Sequence, residues 1–380
     1  MKKIMVLAVS AALSATAQAE FVASDSPLVK ANSFLDLADA GGRIVAVGDR
    51  GKILYSDDEG AHWQVAASPT EVLLTSVCFA DARHGWAVGH DALVLGTTDG
   101  GETWSLQYSD PLGGDGTGDD GSSDDDIAVD DLSMDDLYGD PYADDPYADD
   151  IYSDDPYGDD MYSDDPYADV GGGSAGPVDT SGAPLLDVHC ESRDRAVAVG
   201  GYGYYLETTD GGANWSKNLE GLNNGDGWHL YDMTAAANTS TRYLVGEKGA
   251  MFRSMDQGAS WERVKSPYSG TFFGAITLSD AKALAYGLQG NIWLTGNRGV
   301  SWSKVPSGLS RGVNDGAVLE DGTVVLVTNA GGILTSHDQG KNFSLRYLPG
   351  RESISAVLPL EGGGILVAGQ GGLRVIEDVK

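Results

Sequence analysis

The sequence predicts an all-β chain folded as a seven-bladed β-propeller, on three observations. A unit of about 40 residues recurs along the chain, the length of one four-stranded blade. Each unit reads as short apolar runs separated by turns rich in Gly and Asp, which is strand chemistry rather than a helical period. Six of the units close on an aromatic: Trp63, Trp104, Trp215, Trp261, Trp302 and Phe343.

The copies span residues 45–63, 86–104, 197–215, 243–261, 284–302 and 325–343, with a seventh, partial copy at 365–378. Successive closing aromatics are 41, 111, 46, 41 and 41 residues apart, so the long gap holds one repeat plus 70 inserted residues. Within a unit, an apolar run such as 75–80 precedes a second at 86–89, a Gly-containing turn, a third run at 93–97 and a fourth at 104–108. The seventh copy stops after its third strand. Residues 21–27 resemble the outer strand 63–69, so residues 20–27 are expected to complete the last blade and close the ring, which also protects strand edges.

The box S/T-x-D/N-x-G-x-x-W/F joins the third and fourth strands. It places Asp58, Asp99, Asp210, Asp256, Asn297 and Asp338 at equivalent positions. A short carboxylate or amide bonds nearby backbone in a turn, and Gly supplies positive φ. One turn repeated six times around a ring cannot serve a single active site. These residues therefore read as structural, neither catalytic nor metal-binding.

The boxes resemble the bacterial neuraminidase repeat. The fuller unit, with Gly85–Gly89 leading into Asp99, Gly100, Gly101 and Trp104, is similar to the photosystem II assembly and stability factor family. That resemblance covers nearly all of residues 33–378 outside the insertion. It implies a seven-bladed propeller that chaperones or scaffolds a membrane complex; relatives in bacteria that do not photosynthesise are linked to envelope transporters. The acidic insertion departs from the family pattern.

Residues 1–19 read as a cleavable signal peptide, with Lys2 and Lys3 before an apolar stretch and Ala17-Gln18-Ala19 before Glu20. The expected product is a soluble periplasmic or secreted protein without membrane insertion. Blades 1 and 2, with the closing strand, occupy 20–108, the insertion 109–179, and blades 3 to 7 the remainder, 180–380. Of the net charge of −33, 23 negative charges fall in residues 110–170, which leaves −10 elsewhere. Without a Lys/Arg cluster, nucleic acid is excluded as a partner. In the insertion Tyr142, Tyr147, Tyr152, Tyr157, Tyr162 and Tyr167 recur every five residues among Asp-Asp-Pro-Tyr units. Like-charge repulsion predicts an extended, disordered segment. It reads as a solvating spacer, as an arm that engages a basic partner, or as a Ca²⁺-binding segment around 113–119; the Tyr period favours the arm. No other cofactor is expected.

If strands A to D of each blade run outward from the axis, B–C turns and D–A links share one face and the boxes lie on the other. The partner-binding face is then expected to present Arg50, His90, Tyr202, Tyr204 and Lys248 from B–C turns, with Asp49, Asp91 and Glu247. The D–A links add Trp228, His229, Tyr231, Phe272, Phe273, Arg311 and Arg351. The alternative for Trp228, Phe272 and Phe273 is that they start inner strands and plug the channel. Cys78 and Cys190 fall on inner strands of neighbouring blades; one disulfide or two buried thiols are both open.

The functional reading is a monomeric, non-enzymatic propeller. It would dock an envelope or membrane protein complex, such as a transporter, as an assembly, stability or accessory factor. The runner-up is a carbohydrate-active propeller, lectin-like or sialidase-like. An enzyme would need two carboxylates or an Arg cluster converging in one central pocket; Arg50, Arg253, Arg311 and Arg351 are the scattered candidates.

Overall fold

The computed structural model describes residues 22–24, 26–110, 182–218, 221–235 and 239–379. They form seven antiparallel sheets arranged as propeller blades. Blades 2 to 6 have four strands, blade 1 has five and blade 7 has three. The expected signal peptide and the Asp-Asp-Pro-Tyr segment read as an arm, with its candidate Ca²⁺ stretch, lie outside the described residues.

The second strand of each blade explains the continuous apolar runs. Ile44–Gly48, Gly85–Gly89, Ala196–Gly200, Ala283–Gly287, Val324–Thr328 and Ile365–Gly369 are buried along their whole length. A strand sandwiched between two neighbouring blades has no solvent face, so period-two alternation is lost. The box aromatics pack across the blades. Trp215 meets Trp86 edge-on at 6.3 Å, and Trp302 meets Tyr243 at 5.7 Å.

Turn geometry fixes the two faces. In blades 1, 3, 4 and 5 the B–C turn carries a non-glycine residue at positive φ, namely Arg50 (55°), Tyr202 (53°), Lys248 (50°) and Gln289 (56°). The glycine after it touches the D–A link: a Cβ on Gly51 would stand 2.0 Å from the Thr70 carbonyl oxygen, and one on Gly249 2.1 Å from that of Tyr268. The box turns instead lie against A–B turns. Gly100 donates its N–H to Arg83 O and Gly211 donates to Asp194 O, each at 3.0 Å.

The expected ring closure is corrected. Val22–Ala23 pairs with Trp63 and His62, adding a fifth strand to blade 1 instead of a fourth to blade 7. Pro27 opens a helical turn, Pro27–Lys30, which Pro favours at its first position. Val29 is fully buried among Phe34, Leu54, Leu366 and Leu373. Its carbonyl sits where a Cβ on Gly372 would be, at 2.0 Å. The helical turn thus occupies the 7–1 seam beside the last strand, and the residues before it fall on the free edge of blade 1.

Cys78 and Cys190 form a disulfide with Cα atoms 5.7 Å apart, joining the inner strands of blades 2 and 3.

Candidate functional site

On the B–C face, Arg50, Tyr202, Lys248, Arg311 and Arg351 are exposed. Tyr202 stands 51 % exposed and meets His229 edge-on at 5.0 Å. The Arg263 guanidinium lies 4.4 Å over half-buried Trp228, and that of Arg351 lies 4.2 Å over Tyr347. Tyr231 and Phe273 meet at 5.7 Å where two inner strands begin. His90 is half-buried, and burial lowers its pKa.

Two residues expected on this face are not there. Phe272 is fully buried among Val245, Met251 and Ala285, because it is the first residue of an inner strand whose side chain turns between blades. Tyr204 is also buried; its hydroxyl bonds Tyr108 at 2.9 Å and the Asp110 carboxylate at 3.1 Å. Asp110 further pairs with Lys217, and its carbonyl accepts the Gly182 N–H at 2.6 Å. Tyr204 therefore holds the root of the insertion, where the chain leaves blade 2 and enters blade 3.

A groove of about 690 Å³ opens beside Lys248 and is lined by Arg263, Lys265, Ser266, Tyr268 and Ser269. Arg263 has a distant pairing with Asp226 at 3.5 Å. Among the described residues Lys248 and Lys265 have no ion pair. The sequence reading passed over Arg263 and Lys265. Their signal was the run Arg263-Val264-Lys265, meaningful only once the fold brings Lys248 from the preceding turn beside it.

A second cluster was missed altogether. The inner strands carry Asp36, Ser76, Asp187, Asp232, Gly274, Asp315 and Ala356 at one equivalent position, each just after a register shift in the ladder. The four carboxylates are half-buried, and each one reaches the next inner strand. Asp36 Oδ2 accepts the N–H of Val77 (2.8 Å), Asp187 Oδ2 that of Met233 (2.9 Å), Asp232 Oδ2 that of Ala275 (2.6 Å) and Asp315 Oδ2 that of Val357 (2.8 Å). Ser76 continues the lace by accepting from Val188 N–H at 3.3 Å. Gly274 and Ala356 have no acceptor to offer. After each of them, the next Asp turns to its own strand: Gly316 N–H donates to Asp315 Oδ1 (2.6 Å) and Leu37 N–H to Asp36 Oδ1 (2.8 Å). Burial pushes Asp36 up to about 8 and Asp315 to about 7. Burial also raises Asp187, and burial with the Asp187 charge lifts Asp232 well above the usual range.

The carboxylates of the centre are thus bound to backbone. Arg253 lies elsewhere, on the third strand of blade 4 against Glu262. At the rim, the box residues cap their own turns. Asp58, Asp99, Asp210, Asp256, Asn297 and Asp338 each accept the N–H four residues on, at 2.8 to 3.0 Å. The preceding Ser or Thr hydroxyl accepts the glycine N–H, as Thr97 does from Gly101 at 3.1 Å. Among the described residues, no cluster of three His, Cys, Asp or Glu side chains is arranged to hold a metal ion, and no helix is long and apolar enough to cross a membrane.

Fold and faces define a propeller of the box-turn class, laced at its axis and presenting cations and aromatics on one rim. The chain belongs to the family described as photosynthesis system II assembly factor YCF48, which it matches over residues 58–113 and 175–347. It is 51 % identical over 47 residues to the chloroplastic photosystem II stability/assembly factor HCF136 of Cyanidioschyzon merolae. It is 38 % identical over 53 residues to the photosystem II assembly protein Ycf48 of Thermosynechococcus vestitus. Those matches take in 12 % and 13 % of this chain and 11 % and 15 % of the two relatives. Among solved structures, YCF48 bound to D1 peptide superposes with a TM-score of 0.61 at 16 % identity, covering 95 % of this chain and 97 % of that one. The WD40 propeller domain of Doa1 gives 0.58 at 10 % identity, covering 92 % and 95 %.

Proposed function

We propose that this chain is an exported, non-catalytic docking propeller whose B–C face binds a segment of a membrane or envelope protein complex and supports that partner's assembly or stability. The observation that carries the reading is the groove at Lys248, Arg263 and Lys265, whose Arg263 lies over the half-buried ring of Trp228. Arg with aromatic anchors is the chemistry of protein interfaces. Family membership supports an assembly role, and a YCF48 structure holds a peptide. The disulfide supports export through residues 1–19 into the periplasm or medium, where disulfides persist. A transporter is the kind of complex we favour, with the propeller acting as a monomer.

The test is affinity capture from the native envelope, with the mature protein and its Lys248→Glu/Lys265→Glu variant as baits. Recovery of one membrane complex by the first bait, and its loss from the second, is the expected result. Equal recovery by both removes the groove from the interface. Recovery of nothing by either overturns the docking function.

A further inference from the structure

The hydroxyl of Ser76 carries one proton and has three neighbours. Its oxygen accepts the Val188 N–H, and it lies 2.9 Å from Asp36 Oδ2 and 3.0 Å from Asp187 Oδ1. A hydroxyl can donate to only one of two carboxylates. The other contact needs a proton on the carboxyl itself. Hydrogen counting thus calls for a protonated acid between blades 1 and 3, and Asp232 and Asp315 extend the same ring.

Among the described residues, no cation figures among the charges that act on this ring. The inner strands of blades 2, 5 and 7 contribute Ser76, Gly274 and Ala356, and the charges that press on the four carboxyls are one another's. Tyr286, from the second strand of blade 5, is the titratable group that joins them. A Cβ on Gly274 would stand 2.7 Å from its hydroxyl oxygen, so the phenol takes the space a blade-5 acid would use. The carboxyls in turn push its own pKa further up, in the direction burial already drives it.

We propose that this ring is a proton-dependent lock: the inner strands are held together while the carboxyls keep their protons, and ionisation loosens the propeller first at the two seams that carry no lace, blade 5 to blade 6 and blade 7 to blade 1. Ionised carboxylates still accept from backbone N–H. What changes is that four like charges then face one another in a half-buried ring. The seams laced by Asp36, Ser76, Asp187, Asp232 and Asp315 are tied across; the seams after Gly274 and Ala356 are not.

The sign follows from proton counting. A folded chain that keeps protons which the unfolded chain has released loses stability as pH rises towards the folded pKa. His189 is lowered to about 4 and His90 is lowered as well, both by burial, so neither takes up a proton on folding across pH 7 to 8.

The experiment is chemical denaturation of the full chain, disulfide intact, from pH 6 to 8.5, with amide hydrogen exchange corrected for intrinsic rate. The folding constant is expected to fall between pH 7 and 8 by up to tenfold per unit for each carboxyl still protonated. Protection at residues 34–39 and 313–318 should fall before that of the other inner strands. Asp36→Asn/Asp187→Asn keeps an acceptor for each N–H but cannot ionise, and should flatten the slope. A wild-type folding constant that is flat or rises over that window overturns the lock, as does an unchanged slope in the variant. Protection lost first at laced seams overturns the seam assignment. Should the variant not fold, infrared spectra of the wild type decide. A protonated-carboxyl band at pH 7 that is lost by pH 9 is expected, and its absence at pH 7 refutes the proposal.

Discussion

Asp232 at the channel and Asp256 at the rim belong to the same blade, yet their carboxyls are driven in opposite directions. Asp232 is half-buried, and its desolvation and the Asp187 charge raise it well above the usual range. Asp256 stands in solvent, accepts from the Ser260 and Ser254 hydroxyls and the Ser260 N–H, and is lowered to about 2. Asp338 is lowered by Asn342 in the same way, and Asp210 by Asn214. Both regions use aspartate to satisfy backbone N–H groups. At the rim the bond closes a turn within one blade and the charge remains hydrated. At the centre it ties one blade to the next, and the cost is a carboxylate removed from water. The comparison teaches that hydrogen-bonding role alone does not set a carboxyl's charge; the solvent around it does.

The largest effect expected on this comparison is at the seam where the lace is weakest among those present. Between blades 2 and 3 the acceptor is a neutral hydroxyl, Ser76, and the Cys78–Cys190 bond spans the same pair of strands across a sequence separation of 112. Cys78→Ser/Cys190→Ser should lower stability by about 4–5 kcal/mol on the loop-closure estimate, measured by urea denaturation. A loss under 1 kcal/mol would mean that Ser76 and the packed sheets suffice there.

Next in size is Asp187→Ala. It strips the acceptor from Met233 N–H, while Ser76 keeps Asp36, for a loss of about 1–3 kcal/mol. Asp187→Asn restores an acceptor and should recover most of it in the same titration. If the two variants are equally unstable, charge rather than bonding is what the ring requires of this residue.

The rim effects should be smallest and confined to acid. A carboxyl with a depressed folded pKa stabilises the fold above its ordinary value of 3.8, and that contribution is lost as pH falls through the folded value. Asp256→Asn and Asp338→Ala should each shift the melting temperature less than Asp187→Ala at pH 7. Asp256→Asn should also reduce the fall in melting temperature between pH 4 and 2. An acid limb unchanged by either substitution would remove the rim from the pH response.

How much of this was legible beforehand varies from residue to residue. The boxes were, because Asp99, Gly101 and Trp104 act within one turn and a local pattern repeats in sequence. The disulfide was half legible: strand position brought Cys78 and Cys190 to neighbouring blades but left bonded and free forms open. The face was legible at Arg50, Tyr202 and Lys248, which the turn itself pushes outward. It failed at Phe272 and Tyr204, where one residue of register decides between rim and core. The ring of carboxylates left a trace in Phe34-Leu35-Asp36, Leu185-Leu186-Asp187, Leu230-Tyr231-Asp232 and Val313-Asn314-Asp315, an apolar residue two before each acid at the head of an inner strand. The repeats had been aligned on the box, and this pattern lies outside it.

By itself, then, the sequence determined the blade count, the turn chemistry and the place of the insertion, because each rests on contacts within about 40 residues. Only the tertiary structure decided how the ring closes, which seams are laced and which cations share a groove. Asp36 meets Val77 and Asp315 meets Val357 because neighbouring blades stack around an axis. The partner of a side chain across such a seam is set by the next blade's register, which no single repeat contains.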